Sequence, residues 1–401
     1  MRAGPPHPQL TSAAMPEKQY LVTPGPTPVP PEVLAATARP MIHHRGPDYR
    51  RMLARLFERL PQLWQTANDV LLFTAAGTGA MESAVANTCS PGDRVLVASA
   101  GYFGERWAAI ASRYGCDVVH LRYAWGETPD AAQIGAKLEE MGGAHAVLLT
   151  HSETSTGVVL DLRELAGRVA GSGALILVDA ISSLAAVPLE TDAWGLDVVV
   201  TSSHKALMCP PGLSLVSVSP AALAAAGRAT SPRFYLDWET TLKAQRSSPP
   251  DSAFSPAISL ILGLDVAVDM ILGDGLDAAF ERHRRLGRAC RAGVKAMGLE
   301  LFSPDEDRAA VVTAIRTPPD LDSSAVVLAM RESSGVTIIG GQGELKGKIV
   351  RIGHIGYVDV FDITTALAAL EKALADAGAE IERGAATTAA LEAYGDGVPV
   401  S

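Results

Sequence analysis

The sequence predicts an α/β protein whose mostly parallel sheet is covered on both faces by helices. Three observations carry that expectation. Short apolar runs alternate along the chain with segments of helical period. The runs are continuous in Val, Leu and Ile, as strands buried on both faces require. The 401 residues are 48% hydrophobic and 19% charged, which supplies a large core and excludes wholesale disorder.

Residues 1–19 are rich in proline and lack a period, and read as a flexible arm without the apolar stretch of a secretory signal. Thr23-Pro24-Gly25-Pro26-Thr27-Pro28 can be neither helix nor central strand. An amphipathic helix is predicted over 50–60, with Met52, Leu53, Leu56, Phe57 and Leu60 on one face and Pro61 ending or kinking it. Seven strands follow, at 70–74, 94–98, 117–121, 146–150, 174–178, 198–201 and 213–218. Helices at 80–88, 105–114, 131–140 and 161–170 fit between them. From Ser255-Pro256 onward the pattern changes. Long helices are predicted over 258–272 and 276–297, separated by Gly273-Asp274-Gly275. Strands at 310–315 and 349–353 and helices at 323–333 and 360–377 complete a smaller α+β unit. The organisation expected is an arm over 1–19, a large domain over 20–265, a small domain over 266–380 and a tail over 381–401, read as a frayed helix and a loose end.

Lys and Arg number 34 against 44 Asp and Glu, a formal net charge of −10. That balance argues against nucleic acid or an anionic membrane as partner. No apolar run approaches the roughly 18 residues that span a bilayer. Cys89, Cys116, Cys209 and Cys290 are far apart and form no CxxC pair, so neither a disulfide framework nor a structural zinc site is expected. The reading is a soluble protein of the reducing cytoplasm.

Four local features could carry chemistry. Ala76-Gly77-Thr78-Gly79-Ala80-Met81-Glu82 joins a strand to a helix, either as an anion site at the helix N-terminus or as a tight turn needing glycine. Glu82 at the third position excludes a dinucleotide fingerprint. Asp179 ends an apolar strand, where it either points into the ligand crevice of an open sheet or N-caps the next helix. If buried, it needs a cation. Lys205 closes the run from Val198, as a solvated loop lysine or as a nucleophile of depressed pKa. Arg351 lies inside the apolar stretch Ile349-Val350-Arg351-Ile352, in an internal salt bridge or ready to clamp a carboxylate. Together the four are parts for handling pyridoxal phosphate and an amino acid: phosphate on the helix N-terminus, ring nitrogen on the carboxylate, a Schiff base to the lysine, substrate acid on the arginine.

The chain resembles the class V, fold-type I pyridoxal-phosphate aminotransferases, nearest to the alanine–glyoxylate and serine–pyruvate type. The resemblance runs from about Leu21 to Leu374. It is carried by Thr23-Pro24-Gly25-Pro26-Thr27, His44-Arg45, Ala76-Gly77-Thr78-Gly79, Gly101-Tyr102-Phe103-Gly104 and His151-Ser152-Glu153-Thr154-Ser155-Thr156-Gly157. Val178-Asp179-Ala180-Ile181-Ser182-Ser183, Ser203-His204-Lys205-Ala206-Leu207, Pro210-Pro211-Gly212 and Lys348-Ile349-Val350-Arg351-Ile352-Gly353 continue it.

That resemblance implies a large domain with a seven-stranded sheet, a smaller C-terminal domain and a role for each matching position. Lys205 becomes the catalytic lysine and Asp179 the partner of the ring nitrogen. Thr78, Gly79 and His204 hold the phosphate, Phe103 stacks on the ring, Thr154 bonds the ring hydroxyl and Ser183 lies near the cofactor. Arg351 and the backbone at Gly25 line the substrate pocket. The Ser255-Pro256 segment reaches the cofactor of a partner subunit, which implies a homodimer.

The activity implied is transfer of an amino group from alanine or serine to glyoxylate or pyruvate. Aspartate as donor stays open because Arg45 or Arg246 could hold a second carboxylate. Pyridoxamine–pyruvate aminotransferase is the runner-up, on Asp237-Trp238-Glu239 and the stretch from Arg351 to Gly356. A cysteine desulfurase needs a nucleophilic cysteine on a mobile loop, which neither Cys209 nor Cys290 provides. A non-catalytic homologue is opposed by the presence of both Lys205 and Asp179.

Overall fold

The computed structural model describes residues 18–395, so the expected arm lies almost wholly outside the described residues. Helix α1 (Pro31–Thr37) and helix α2 (Pro47–Trp64) precede the sheet. Proline opens α2 at its first position, and Met52, Leu53, Leu56, Leu60, Leu63 and Trp64 bury one face. Of the two outcomes expected at Pro61, an end to the helix is not found: α2 runs on to Trp64. Proline there loses one main-chain bond near the end, while a further turn buries Leu63 and Trp64 and lets the Trp64 indole donate to the Val199 carbonyl at 3.2 Å. Gln65, at φ 51°, then ends the helix.

The large sheet contains the seven expected strands: β1 (Asp69–Phe73), β2 (Arg94–Ser99), β3 (Asp117–Arg122), β4 (Ala146–Thr150), β5 (Leu175–Asp179), β6 (Val198–Ser202) and β7 (Ser214–Val218). Their order is β1-β7-β6-β5-β4-β2-β3. Only β7 runs antiparallel to its neighbours; β2 to β6 are parallel. Helices α3 (Gly77–Thr88) and α4 (Tyr102–Arg113) pack one face through Met81, Val85 and Trp107 against Val95, Leu148, Leu177 and Val200. The other face, through Leu96, Val147, Ile176, Val178 and Val199, receives α2, α5 (Ala131–Glu140) and α6 (Leu162–Val169). Alternate residues of one strand thus enter different cores, which is why the runs read as continuously apolar. α7 (Pro220–Ala226) and α8 (Trp238–Gln245) flank the first face.

Helix α9 (Ile258–Asp274) packs with α1 and α2, and its Leu264, Val268 and Ile271 belong to the sheet's core. The expected division at 265/266 therefore cuts through one packed helix. The chain turns instead at Gly275, at φ 85°, into α10 (Leu276–Ala296). A second core gathers α10, α11 (Ser323–Ser334), α12 (Val360–Asp376) and an antiparallel sheet of order β8-β10-β9. Its strands are β8 (Val312–Arg316), β9 (Ile339–Gly340) and β10 (Ile349–Gly353).

The two ends of the described chain both pack on the second core. Tyr20–Leu21 pairs in parallel with Val336–Thr337 and Val22 is buried in the second core, so the first residues of the expected large domain belong to the other unit. The helix expected in the tail is α13 (Ala385–Gly395), and Ala386 and Ala390, one turn apart, are small enough to let it seat on α10 and α12. Among the described residues no helix is long and apolar enough to cross a membrane.

Burial holds His151, His283 and His354 neutral, their pKa values pushed down to about 3. His283 shows what that secures: Nδ1 faces the Ala279 carbonyl at 2.6 Å while Nε2 accepts from the Gly356 amide at 3.1 Å. A protonated ring would set two donors against each other at Gly356. The folded values lie below the unfolded 6.5, so this stability is complete above about pH 6.5 and is lost as pH falls toward 3. The melting temperature is expected to fall by several degrees between pH 7 and pH 4.5 in a calorimetric scan. A flat or rising profile refutes the assignment.

Candidate active site

The carboxyl ends of β4, β5 and β6 and the amino ends of α3 and α4 converge on one cleft. It is lined by Gly77, Thr78, Phe103, Arg106, Ser152, Thr154, Asp179, Ser182, His204 and Lys205. That is where an open parallel sheet binds ligands.

Lys205 sits in the turn after β6 and is 8% exposed. Its Nζ donates to the Pro24 carbonyl at 2.7 Å, and Thr27 Oγ1 donates to the Lys205 carbonyl at 3.1 Å, so the proline-rich segment fixes the side chain and backbone of the lysine. Burial lowers its pKa to about 8; Asp179 opposes that shift, while Arg351 and Arg106 add to it. Asp179 ends β5 at 4% exposure. Its Oδ1 accepts from the Ile181 amide at 2.8 Å and closes a turn; among the described residues no helix follows before β6, so the alternative of a helix N-cap is not met. No cation lies within ion-pair distance among the described residues, and burial raises its pKa to about 7.

Arg351 is 1% exposed and lies on β10. Nε and Nη2 donate to the Gly340 carbonyl at 3.0 and 2.8 Å, and Nη1 donates to the Thr154 carbonyl at 2.6 Å. These are neutral acceptors. The internal salt bridge is absent among the described residues, leaving a buried guanidinium with no carboxylate on it. Burial lowers its pKa to about 10, against the pull of nearby Glu153. Gly353, two residues on, ties the same strand to the lysine's segment: its amide donates to the Val22 carbonyl at 2.9 Å.

Gly25 is required twice. Its φ is +137°, and a Cβ there would lie 2.2 Å from Lys205 Nζ. Gly25→Ala is expected to cost about 1–3 kcal/mol in backbone strain and to push Lys205 off the Pro24 carbonyl. Borohydride reduction after mixing with pyridoxal phosphate, followed by peptide mass spectrometry, should then find Lys205 unmodified; wild-type labelling of Lys205 would refute it.

The remaining expected residues divide. Thr78, Phe103, Thr154 and His204 line the cleft. Thr154 Oγ1 stands 3.5 Å from Ser182 Oγ, and His204 Nδ1 pairs with Ser202 Oγ at 2.9 Å. Gly79 does not line it. Its amide is spent on the Ala76 carbonyl at 2.8 Å, and Gly77 takes the place at the cleft. Ser183 is fully buried and off the lining; its neighbour Ser182 faces the cleft, because the turn after β5 presents only one of the pair. Ser255 is exposed and lies outside the cleft, beside Phe254 and Thr74.

Three residues of the cleft were not anticipated. Ser152 lines it with a buried hydroxyl that has no partner. Arg106 donates from Nη1 to Thr78 Oγ1 at 2.7 Å and lies over the Phe103 ring, 4.8 Å from its centroid. Glu153 is buried behind the lining, and its carboxylate accepts from the amides of Phe103, Gly104 and Ser155 at 2.9, 3.0 and 3.1 Å. It thereby caps α4 and fixes Phe103 at the rim. Burial raises its pKa, against those bonds.

The cleft thus offers a near-neutral lysine, a carboxylate without a cation, an arginine without an anion, an unpaired hydroxyl and the open first turn of α3, whose leading amides lack intrahelical acceptors. This donor set fits pyridoxal phosphate. Asp179 would face the ring nitrogen, Thr154 or Ser152 the ring hydroxyl, and Thr78 and His204 the phosphate.

Comparison with known proteins agrees with that fit. The family model described as Aminotransferase class-V matches residues 19–351. The chain is 41% identical to a protein named soluble hydrogenase, small subunit, of Synechococcus sp., over 91% of this chain and 95% of that one. It is 36% identical to the L-aspartate–glyoxylate aminotransferase of Paracoccus denitrificans, over 95% and 97%. Among solved structures, ureidoglycine–glyoxylate aminotransferase of Bacillus subtilis superposes with a TM-score of 0.90 at 30% identity, covering 96% of this chain and 100% of that one.

Proposed function

The chain belongs to the class-V aminotransferases, which are pyridoxal-phosphate-dependent transaminases, and from that premise we propose that it moves the amino group of alanine or serine to glyoxylate or pyruvate. The observation that carries this reading is Arg351, a buried cation whose protein partners are all carbonyls, next to the lysine's cleft. A ligand carboxylate supplies its missing anion in a bidentate geometry.

Bound in this cleft, pyridoxal phosphate supplies an aldehyde that exchanges amines and a ring that accepts electrons. The chain's own residues do the rest. Lys205 would hold the cofactor at rest, and its Nζ, when free, would move the donor's α-proton. Asp179 holds a proton on the ring nitrogen. Phe103 covers the ring, and Arg351 orients the donor so that its α-hydrogen faces the lysine. The two substrates are taken in turn.

Small donors fit the other arginines. Arg45 is held by Asp251 at 3.2 Å and Arg246 pairs with Asp69, and neither lines the cleft. Aspartate is the second reading, favoured by one observation: Arg106 does reach the cleft. A homodimer is part of the proposal, supported by Phe234, 80% exposed, which together with Tyr235 clusters on Phe254 beside Ser255.

The test is a half-reaction. Cofactor-loaded protein is mixed separately with alanine, serine, aspartate and pyridoxamine while the visible absorption of the lysine-bound cofactor is followed. Alanine or serine should bleach it fastest, and Arg351→Gln should raise the concentration of donor required by roughly ten- to hundred-fold. Bleaching by aspartate or pyridoxamine alone would replace the substrate assignment.

A further inference from the structure

The cleft holds more fixed positive charge than the substrate carboxylate accounts for. Arg351 and Arg106 both lack an acidic partner within ion-pair distance among the described residues. The acids nearby do not serve them. Glu153 spends its carboxylate on the first amides of α4 and on Ser155, and Asp179 is bound to Ile181. Arg351 is buried and calls for an anion; Arg106, partly exposed on the cleft lining, is placed to take a second. Their positions sort the anions. Arg351 reaches across from β10 to Thr154, on the side of the segment that holds Lys205. Arg106 reaches from α4 to Thr78, in the first turn of α3.

We infer that Arg106 is the cationic anchor of the cofactor's phosphate, bonding it directly and holding Thr78 in place to donate to it. Thr78 Oγ1 accepts from Arg106 Nη1, which leaves its hydroxyl hydrogen free to be donated to a ligand. Nε and Nη2 of Arg106 have no protein acceptor among the described residues and can fork onto phosphate oxygens. The guanidinium lies over the Phe103 ring, 4.8 Å from the centroid, and over the Tyr102 ring at 5.4 Å, so its plane is fixed before a ligand arrives. The first turn of α3 adds its amides and its dipole to the same point. Ser152, buried and unpaired on the same lining, marks the cleft as built for a polar ligand. The inference deepens the reading given above and rests on it. It also bears on the donor: an arginine committed to phosphate cannot hold the distal carboxylate of aspartate.

The test uses two forms of the vitamin that share ring and aldehyde and differ in the phosphate. Dissociation constants of pyridoxal phosphate and of pyridoxal are measured on the cofactor-free protein by quenching of its tryptophan fluorescence, for wild type, Arg106→Gln and Arg106→Lys. Arg106→Gln should weaken pyridoxal phosphate roughly ten- to hundred-fold and leave pyridoxal within about twofold; Arg106→Lys should fall between. Inorganic phosphate should compete with pyridoxal phosphate on wild type and lose that power in Arg106→Gln. Equal weakening of both compounds overturns the inference and makes Arg106 a support for Phe103. Unchanged affinity for both, with a raised Michaelis constant for aspartate but not alanine, overturns it in favour of a distal-carboxylate site. Wild-type protein that takes up neither compound refutes the cofactor site itself and the inference with it. Equal melting temperatures of the cofactor-free proteins establish that the variants fold.

Discussion

Lys205→Ala is expected to lower the rate of amino transfer by roughly four orders of magnitude, with the fold intact and the cofactor still able to enter the cleft. The expectation rests on two jobs that no neighbour can take over. Among the lining residues Lys205 is the one amine. Its Nζ is also the base that the structure keeps near neutrality: burial lowers the pKa to about 8, far from the 10.5 of a free lysine. A sign follows for pH. The neutral amine is the attacking form, so capture of pyridoxal phosphate by the cofactor-free protein should accelerate as pH rises through about 8 and level off above it. Ordinary surface lysines would keep accelerating toward 10.5. The measurement is stopped-flow absorbance across pH 6.5 to 10, with Lys205→Ala as the blank. A variant that retains a tenth of wild-type turnover, or capture that climbs steadily to pH 10, would remove Lys205 from the role.

Much of this was legible in the sequence for a definite reason. The residues that carry the chemistry sit at the ends of strands, and strand ends are marked by the point at which a buried apolar run stops. Asp179 closes Leu175–Val178 and Lys205 follows Val198–Ser202, so their convergence on one edge follows once the strands are parallel neighbours. What periodicity could not give was fine orientation. Whether Ser182 or Ser183 faces the cleft depends on the turn after β5, where neither strand nor helix period applies. Gly79 is the glycine expected at the phosphate, but the 2.8 Å bond from its amide to the Ala76 carbonyl shows that the turn consumes it and leaves Gly77 at the cleft. Arg106 was missed because α4 was expected to begin at residue 105. It begins at Tyr102, which places Phe103 and Arg106 three residues apart on one helix face. The pairing of Tyr20 with Val336 is beyond local reading altogether, since two residues of strand carry no partner information.

Asp179→Asn should separate binding from chemistry. Asparagine keeps the side-chain carbonyl that accepts from the Ile181 amide, so the turn after β5 and the lining beside it should persist. What is lost is the charge. In the protein without cofactor, burial raises the Asp179 pKa to about 7, with Glu153 adding to the rise and Arg106 and Lys205 opposing it. A protonated ring nitrogen set against it reverses the balance, because an opposite charge at contact favours the carboxylate over its acid. The two groups then stabilise each other's charged forms in a site that would support neither alone. With asparagine the nitrogen has no anion, its proton leaves, and the ring's capacity to accept electrons falls when the α-proton is removed. Turnover is expected to fall by roughly two to four orders of magnitude, while labelling of Lys205 by borohydride continues at the wild-type level. A cofactor methylated on the ring nitrogen, whose charge needs no proton, should restore part of the lost rate to the asparagine variant and do nothing for wild type. Rescue in that pattern assigns the defect to the nitrogen's charge. If the methylated cofactor binds but recovers nothing, the carboxylate acts through the architecture of the turn, and the electron-sink role of Asp179 falls.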